Sequence, residues 1–240
     1  MKIDKSLYTK EEFKLIKEQR RIAKTQKKKE TKIITPDAKD YKGNKSHNLA
    51  FVLGNGISRQ GIDLAVLKSI GTIYGCNALY REFSPDYLIA VDVKMILEIN
   101  KSGYQNCNTV WTNPNRSFER MNNFNYFQPS KGWSSGPTAL WLATQHNFLE
   151  IYILGFDYKG LDNGKKFNNI YANTPNYKKS SDGATFFGNW SRQTKMIIKD
   201  NPNITFIRVI EPNTYNPPDF ELFTNYKTMQ KDFFLQTFNL

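Results

Sequence analysis

Cysteine and histidine are scarce, with two of each in 240 residues. Cys76 and Cys107 stand far apart with no second pair, which argues against a disulfide framework and a zinc site and points to a reducing compartment. His47 and His146 make no metal-ligand spacing, and no D-x-D pair closes any candidate strand. A transferase that depends on a divalent metal is therefore disfavoured, and no metal ligands are assigned. No apolar run approaches the length needed to span a bilayer. The first thirty residues carry charge where a signal peptide would need an apolar core. The expectation is a soluble intracellular protein, or one carried in an assembled particle.

Positive charge, by contrast, is plentiful at one end. Residues 1–45 hold 15 of the 34 Lys and Arg and 7 of the 22 Asp and Glu, a net of +8, which leaves 19 against 15, or +4, for residues 46–240. Such an arm suits nucleic acid, an anionic membrane surface or an acidic protein partner, and it also serves plain solubility. Thr9 and Glu12 form a T-x-x-E capping box, and no Gly or Pro interrupts a helix from there to about Lys29. The apolar stripe of Phe13, Ile16 and Ala23, with Leu15 and Ile22 beside it, is too thin to bury fully. Residues 30–48, with Pro36 and Gly43, read as a linker, so that 1–48 form a basic helical arm and its linker.

From Leu49 onward, short apolar runs alternate with amphipathic helical windows. This is the pattern of βαβ units, and it predicts an α/β fold with a doubly wound, mainly parallel, Rossmann-like sheet over 49–210. Strands are expected at Leu49–Leu53, Thr72–Gly75, Tyr87–Val91, Thr109–Thr112, Ile151–Leu154 and Ile204–Val209. Helices are expected near 61–69, 93–101, 137–146 and 190–200. Residues 159–188, rich in Gly, Asn, Lys and Ser, have neither pattern and read as a long loop, of a length that signals a lid over a binding site or a disordered segment. Residues 211–240 read as an aromatic C-terminal tail. Its Phe220, Phe223, Tyr226, Phe233, Phe234, Leu235 and Phe238 are too apolar to stay wet, since full burial of each is worth roughly 1.5–3 kcal/mol. The tail either wraps the domain or meets another protein chain, a second copy included.

The chemistry-bearing residues fall at strand ends and helix starts, where open α/β sheets bind ligands. The first strand runs into Gly54-Asn55-Gly56 and then Ser58, a turn whose glycines and helix amides suit a phosphate. Arg59 stands where the third glycine of G-x-G-x-x-G would be, and a tight turn with no ligand explains the same residues. Asn77 follows the second strand and suits a ligand or a helix cap equally. Asp92 ends the third strand and suits a ribose or a cap. Ser134-Ser135-Gly136 opens a helix, and Gly155-Phe156-Asp157-Tyr158 closes the next strand.

In that order and at comparable spacing, "LGNGIS", "YGCNALY", "SSGPTALWLA" and "EIYILGFDY" resemble the motifs of bacterial sialyltransferases that use CMP-sialic acid, and of related phage and bacterial proteins of unassigned function sharing their Rossmann-like fold. The resemblance covers about residues 49–210. It implies that Asn55 and Asn77 contact the phosphate and sugar of a nucleotide, that Ser135 and Gly136 meet its base or ribose, and that Tyr158 lies near the leaving phosphate. It also implies a nucleotide-sugar substrate with no cofactor. Tyr171 or Tyr177 in the lid would supply a second phosphate contact. The family's general-base histidine falls in "TFFGNWSRQ", where this chain has Asn189, and asparagine cannot take a proton at neutral pH. Asp157 and Asp182 are the alternative bases.

Three functions are compatible with these residues. The first is a metal-independent glycosyltransferase-like protein using a CMP-sugar or another nucleotide-sugar, in the cytoplasm, or in the host cytoplasm if phage-encoded. The second is a non-catalytic binding or structural protein of this fold, such as a phage virion component, assembling through its arm and tail. The third is an enzyme acting on nucleic acid held by residues 1–45.

Overall fold

Apolar runs that are continuous rather than alternating become strands covered on both faces, and β1 (Leu49–Leu53) shows the rule, with Ala50, Phe51, Val52 and Leu53 all 0% exposed. The computed structural model describes residues 49–118 and 120–240. The expected arm helix, the linker and the arm's nucleic-acid contact lie outside the described residues. After β1 come α1 (Leu64–Ile70), β2 (Thr72–Cys76), β3 (Tyr87–Ile89), α2 (Val93–Ser102), β4 (Val110–Thr112) and β5 (Asn125–Tyr126). Then follow α3 (Ser135–Thr144), β6 (Glu150–Leu154), α4 (Gly188–Asp200), β7 (Thr205–Ile210), β8 (Tyr226–Gln230) and α5 (Lys231–Phe238).

The strands form one eight-stranded sheet in the order β5-β4-β3-β2-β1-β6-β7-β8, and every pairing is parallel. The expected α/β fold and Rossmann-like sheet are thus present, all parallel rather than mainly so. The chain builds outward from β1 to β5, then crosses back to lay β6 on the other side of β1 in the register Leu53↔Leu154. That reversal opens a crevice at the carboxyl ends of β1 and β6.

Helices cover both faces. On one, α3 lies against β1, β2, β3 and α4, and nine of its ten residues are buried. A helix apolar all round belongs inside, so α3 is a core element whose N-terminus points where the strands end. On the other face, Leu67 of α1 and Met95, Ile96 and Ile99 of α2 share a second core with Phe234 of α5.

Residues 211–240, set apart above as a tail, complete the domain. Tyr226–Gln230 adds the eighth strand beside β7, in the register Phe206↔Tyr226. Phe234 and Phe238 of α5 pack edge-on against Phe51 at 6.2 and 5.5 Å between ring centres, while Phe220 meets Tyr158 and Tyr226 in the opposite core. Leu222 and Phe233 remain exposed, at 78% and 59%. The apolar groups of this segment thus mostly wrap the domain.

Candidate functional site

The two loops at the sheet's reversal point fit together before any ligand is considered. Gly54 N–H donates to the Leu154 carbonyl at 2.8 Å and Gly56 N–H to the Gly155 carbonyl at 2.9 Å. A Cβ on Gly54 would overlap the Gly155 carbonyl oxygen and stand 2.8 Å from the Phe156 ring, and one on Gly56 would stand 2.5 Å from the Asp157 carboxyl carbon and 2.7 Å from the Gly155 oxygen. These residues are glycine because two backbones cross here. The amides that follow are also committed, Ile57 N–H to Asn168 Oδ1 at 3.0 Å and Ser58 N–H to Asp157 Oδ2 at 3.2 Å. Of this turn's amides, those of Gly54, Gly56, Ile57 and Ser58 are thus spent on the protein itself.

Asp157 is held in the same knot. Its carboxylate accepts both the amide and the hydroxyl of Ser58, so it caps the short turn Ile57–Arg59 and is not a free base. Tyr158 has a left-handed backbone (φ 51°) that turns its side chain back into the core. Its hydroxyl donates to Thr194 Oγ1 at 2.8 Å, the residue is 3% exposed, and burial pushes the phenol's pKa far above its usual value. The hydroxyl is thus committed to a hydrogen bond inside the core.

Behind this knot lies a cavity of about 380 Å³, walled by the ends of β1, β2, β3 and β6, the start of α3 and the segment that leads into α4. Gly54, Asn55, Gly56, Asn77, Ser134, Ser135 and Gly136 all line it, together with Asp157 and Tyr158. Ser58 does not belong to the wall.

Within the wall, Ser135 ties three elements together. Its hydroxyl donates to Asn77 Oδ1 at 2.8 Å and accepts from the Val91 amide at 3.1 Å, which joins the ends of β2 and β3 to α3. Asn77 itself sits in a left-handed conformation (φ 52°) that asparagine tolerates. Asn55 is 7% exposed; its amide nitrogen donates to the Cys76 carbonyl at 3.3 Å and to the Tyr177 hydroxyl at 3.4 Å, while its Oδ1 is buried with no hydrogen-bond partner. Ser134 serves as the N-cap of α3 with no side-chain cap bond. Its own amide donates to Gln193 Oε1 at 3.1 Å, whereas the Ser135 and Gly136 amides have no partner among the described residues. The first-turn amides of a helix carry partial positive charge, so this mouth favours an anion.

Several wall residues were not singled out from the sequence. Phe187 and Trp190 offer aromatic faces and Lys159 a cation; all lie near "TFFGNWSRQ" or just past β6, but nothing local shows which way they face. Asp92, read above as a ribose contact or a cap, makes no cap bond to α2 although it occupies the N-cap position, and it lines the cavity. Asp92 is exposed as a residue, but partial burial of its carboxyl on the cavity side raises its pKa above the ordinary aspartate value. Cys76 also lines the wall, its thiol pushed up to about 12 by burial.

The remaining candidates lie off the cavity. Asn189 is exposed on the first turn of α4, and Asp182 is an exposed loop residue whose carboxylate accepts the Lys179 amide at 2.9 Å. Residues 167–177, about a third of the expected lid, are fastened down. Arg59 reaches Glu82 and the Tyr171 hydroxyl at 3.3 and 3.2 Å, and Arg81 grips Thr174 Oγ1 and the Pro175 carbonyl at 2.8 and 2.9 Å. Tyr177 accepts hydrogen bonds from Asn55 and the Ala78 amide. Among the described residues no group of three or more His, Cys, Asp and Glu is placed to hold a metal, and no helix is long and apolar enough to cross a membrane.

Comparison with family models gives no match, and neither curated proteins nor solved structures give one.

Proposed function

We propose that the strand-end cavity binds a nucleotide-sugar, a CMP-sugar first among them, and that the protein is a metal-independent glycosyltransferase-like protein. The observation that carries this reading is the mouth of α3. Its uncommitted Ser135 and Gly136 amides open into the cavity at the sheet's reversal point, with Lys159 on the same wall. Hydrogen-bond donors fixed in place can hold a phosphate, and stabilise it as a leaving group, without a metal. Asn77 and the Phe187 and Trp190 rings supply the polar and stacking surfaces that a sugar and a base require.

In this reading the base moves from Asp157 or Asp182 to Asp92, whose raised pKa suits proton abstraction better than an ordinary aspartate. A second reading has its own support. Asp157 and Tyr158 are both committed to the fold, as befits a protein that binds the ligand without transferring a sugar, for instance a structural component of a phage virion.

The test is a thermal-shift and calorimetric panel of CMP, UDP, GDP and ADP in EDTA. A nucleotide at 100 times its dissociation constant should stabilise the fold by about 2.7 kcal/mol. No shift with any of them would remove both readings. Release of CMP from CMP-sialic acid, lost in Asp92→Asn, would decide for the transferase.

A further inference from the structure

Arg208 heads the fully buried side chains by size, at 1% exposure on β7, two strands from β1. None of the ion pairs among the described residues includes it. Its terminal nitrogens donate to Asn216 Oδ1 at 3.1 Å and to the Tyr215 carbonyl at 2.9 Å, and its Nε is buried with no partner. The guanidinium lies 4.9 Å from the centre of the Tyr158 ring. The guanidinium is a cation with five N–H donors and no acceptor. Burying it among neutral acceptors alone is costly, and an apolar side chain of similar volume would fill the space more cheaply. What the charge does have is a neighbour on the cavity wall, since Tyr158, whose ring it faces, also lines the cavity.

We propose that Arg208 is the buried counter-charge of an anionic ligand in the strand-end cavity, acting from behind Tyr158 to hold the ligand's phosphate near the start of α3. The proposal rests on the nucleotide reading of the cavity. Arg208 does not touch the ligand; it is a positioning residue whose field reaches the phosphate through the low-dielectric interior, where charges are poorly screened. The α3 amides give the phosphate its direct hydrogen bonds, and Arg208 adds long-range attraction that a nucleoside without phosphate would not feel.

The experiment uses the full chain as wild type, Arg208→Met and Arg208→Lys, with CMP, cytidine and inorganic phosphate as probes in calorimetry, and the melting temperature of each free protein. Arg208→Met should melt at or above the wild-type temperature, bind CMP roughly tenfold more weakly and leave cytidine unchanged; Arg208→Lys should restore most of the preference for CMP. An Arg208→Met protein that is unfolded or melts lower overturns the proposal, because Arg208 then serves the fold. Equal losses for CMP and cytidine overturn it as well. CMP bound as tightly by Arg208→Met as by wild type removes Arg208's role while keeping the nucleotide site. Phosphate binding that depends on Arg208, with no nucleotide bound, upholds its role and removes the nucleotide reading. No binding of either anion by wild type overturns both.

Discussion

Replacing Gly54 by alanine adds one methyl group at the tightest point of the sheet's reversal. The new Cβ would overlap the Gly155 carbonyl oxygen and press on Phe156 at 2.8 Å. Neither neighbour can simply rotate away, since the first is backbone and Phe156 belongs to the buried core. The β1 and β6 loops must separate, which strains the Gly54–Leu154 and Gly56–Gly155 hydrogen bonds. Overpacking of this kind costs about 1–3 kcal/mol, and at roughly 2–4 °C per kcal/mol for a domain of this size the melting temperature should fall by about 2–12 °C. Gly183→Ala is the control, because nothing lies within 4 Å of its added Cβ; it should be neutral to within about 0.5 kcal/mol or slightly stabilising. Calorimetric melts of the two variants decide. If Gly54→Ala melts within about a degree of Gly183→Ala, the glycine is not there for backbone contact, and the account of the turn as a close crossing of two backbones fails.

Thiol labelling under native conditions should modify Cys107 and spare Cys76, because Cys107 is exposed while burial pushes the Cys76 thiol up to about 12; two fast-reacting thiols in the folded protein would contradict this placement. Phe234→Ala should destabilise by about 3–5 kcal/mol in urea melts, since the ring is fully buried against Phe51 and Tyr152; a loss under about 1 kcal/mol would mean that α5 is not part of the core. Asp92→Asn should raise the melting temperature at pH 7 to 8. A carboxyl whose folded pKa is raised contributes stability below its unfolded value near 3.9 and loses it as pH climbs through the folded value. The gain should therefore shrink as pH falls toward about 4, and a gain independent of pH would assign it to another cause.

The sheet was readable where strands are buried on both faces. Leu49–Leu53 is an unbroken apolar run, and its bounds agree with the expectation. β8 does not show for the opposite reason: it is an edge strand in which Tyr226 alone is buried, and "YKTMQ" carries too little apolar signal to separate it from a tail. β5 is two residues long and pairs only through Trp111↔Asn125 and Thr112↔Tyr126, below the length at which any pattern shows. At the site, the motif residues were found because they follow strands, but their roles were hidden by distance in sequence. What makes Gly54 and Gly56 necessary lies about one hundred residues later, at Gly155 and Asp157. The left-handed φ of Tyr158 and the fastening of Tyr171 by Arg59 and Glu82, which joins three separate segments, leave no mark in the local sequence pattern.

The central claim is that an anionic nucleotide occupies the cavity at the mouth of α3 without a metal. A crystal structure of the full chain grown with saturating CMP and EDTA tests it most directly. The account predicts the CMP phosphate within hydrogen-bond distance of the Ser135 and Gly136 amides, its base or ribose against Asn77 and the Phe187 and Trp190 rings, and the Gly54–Leu154 contact undisturbed. Nucleotide bound elsewhere, or an empty cavity in a crystal whose protein binds CMP in solution, would contradict it.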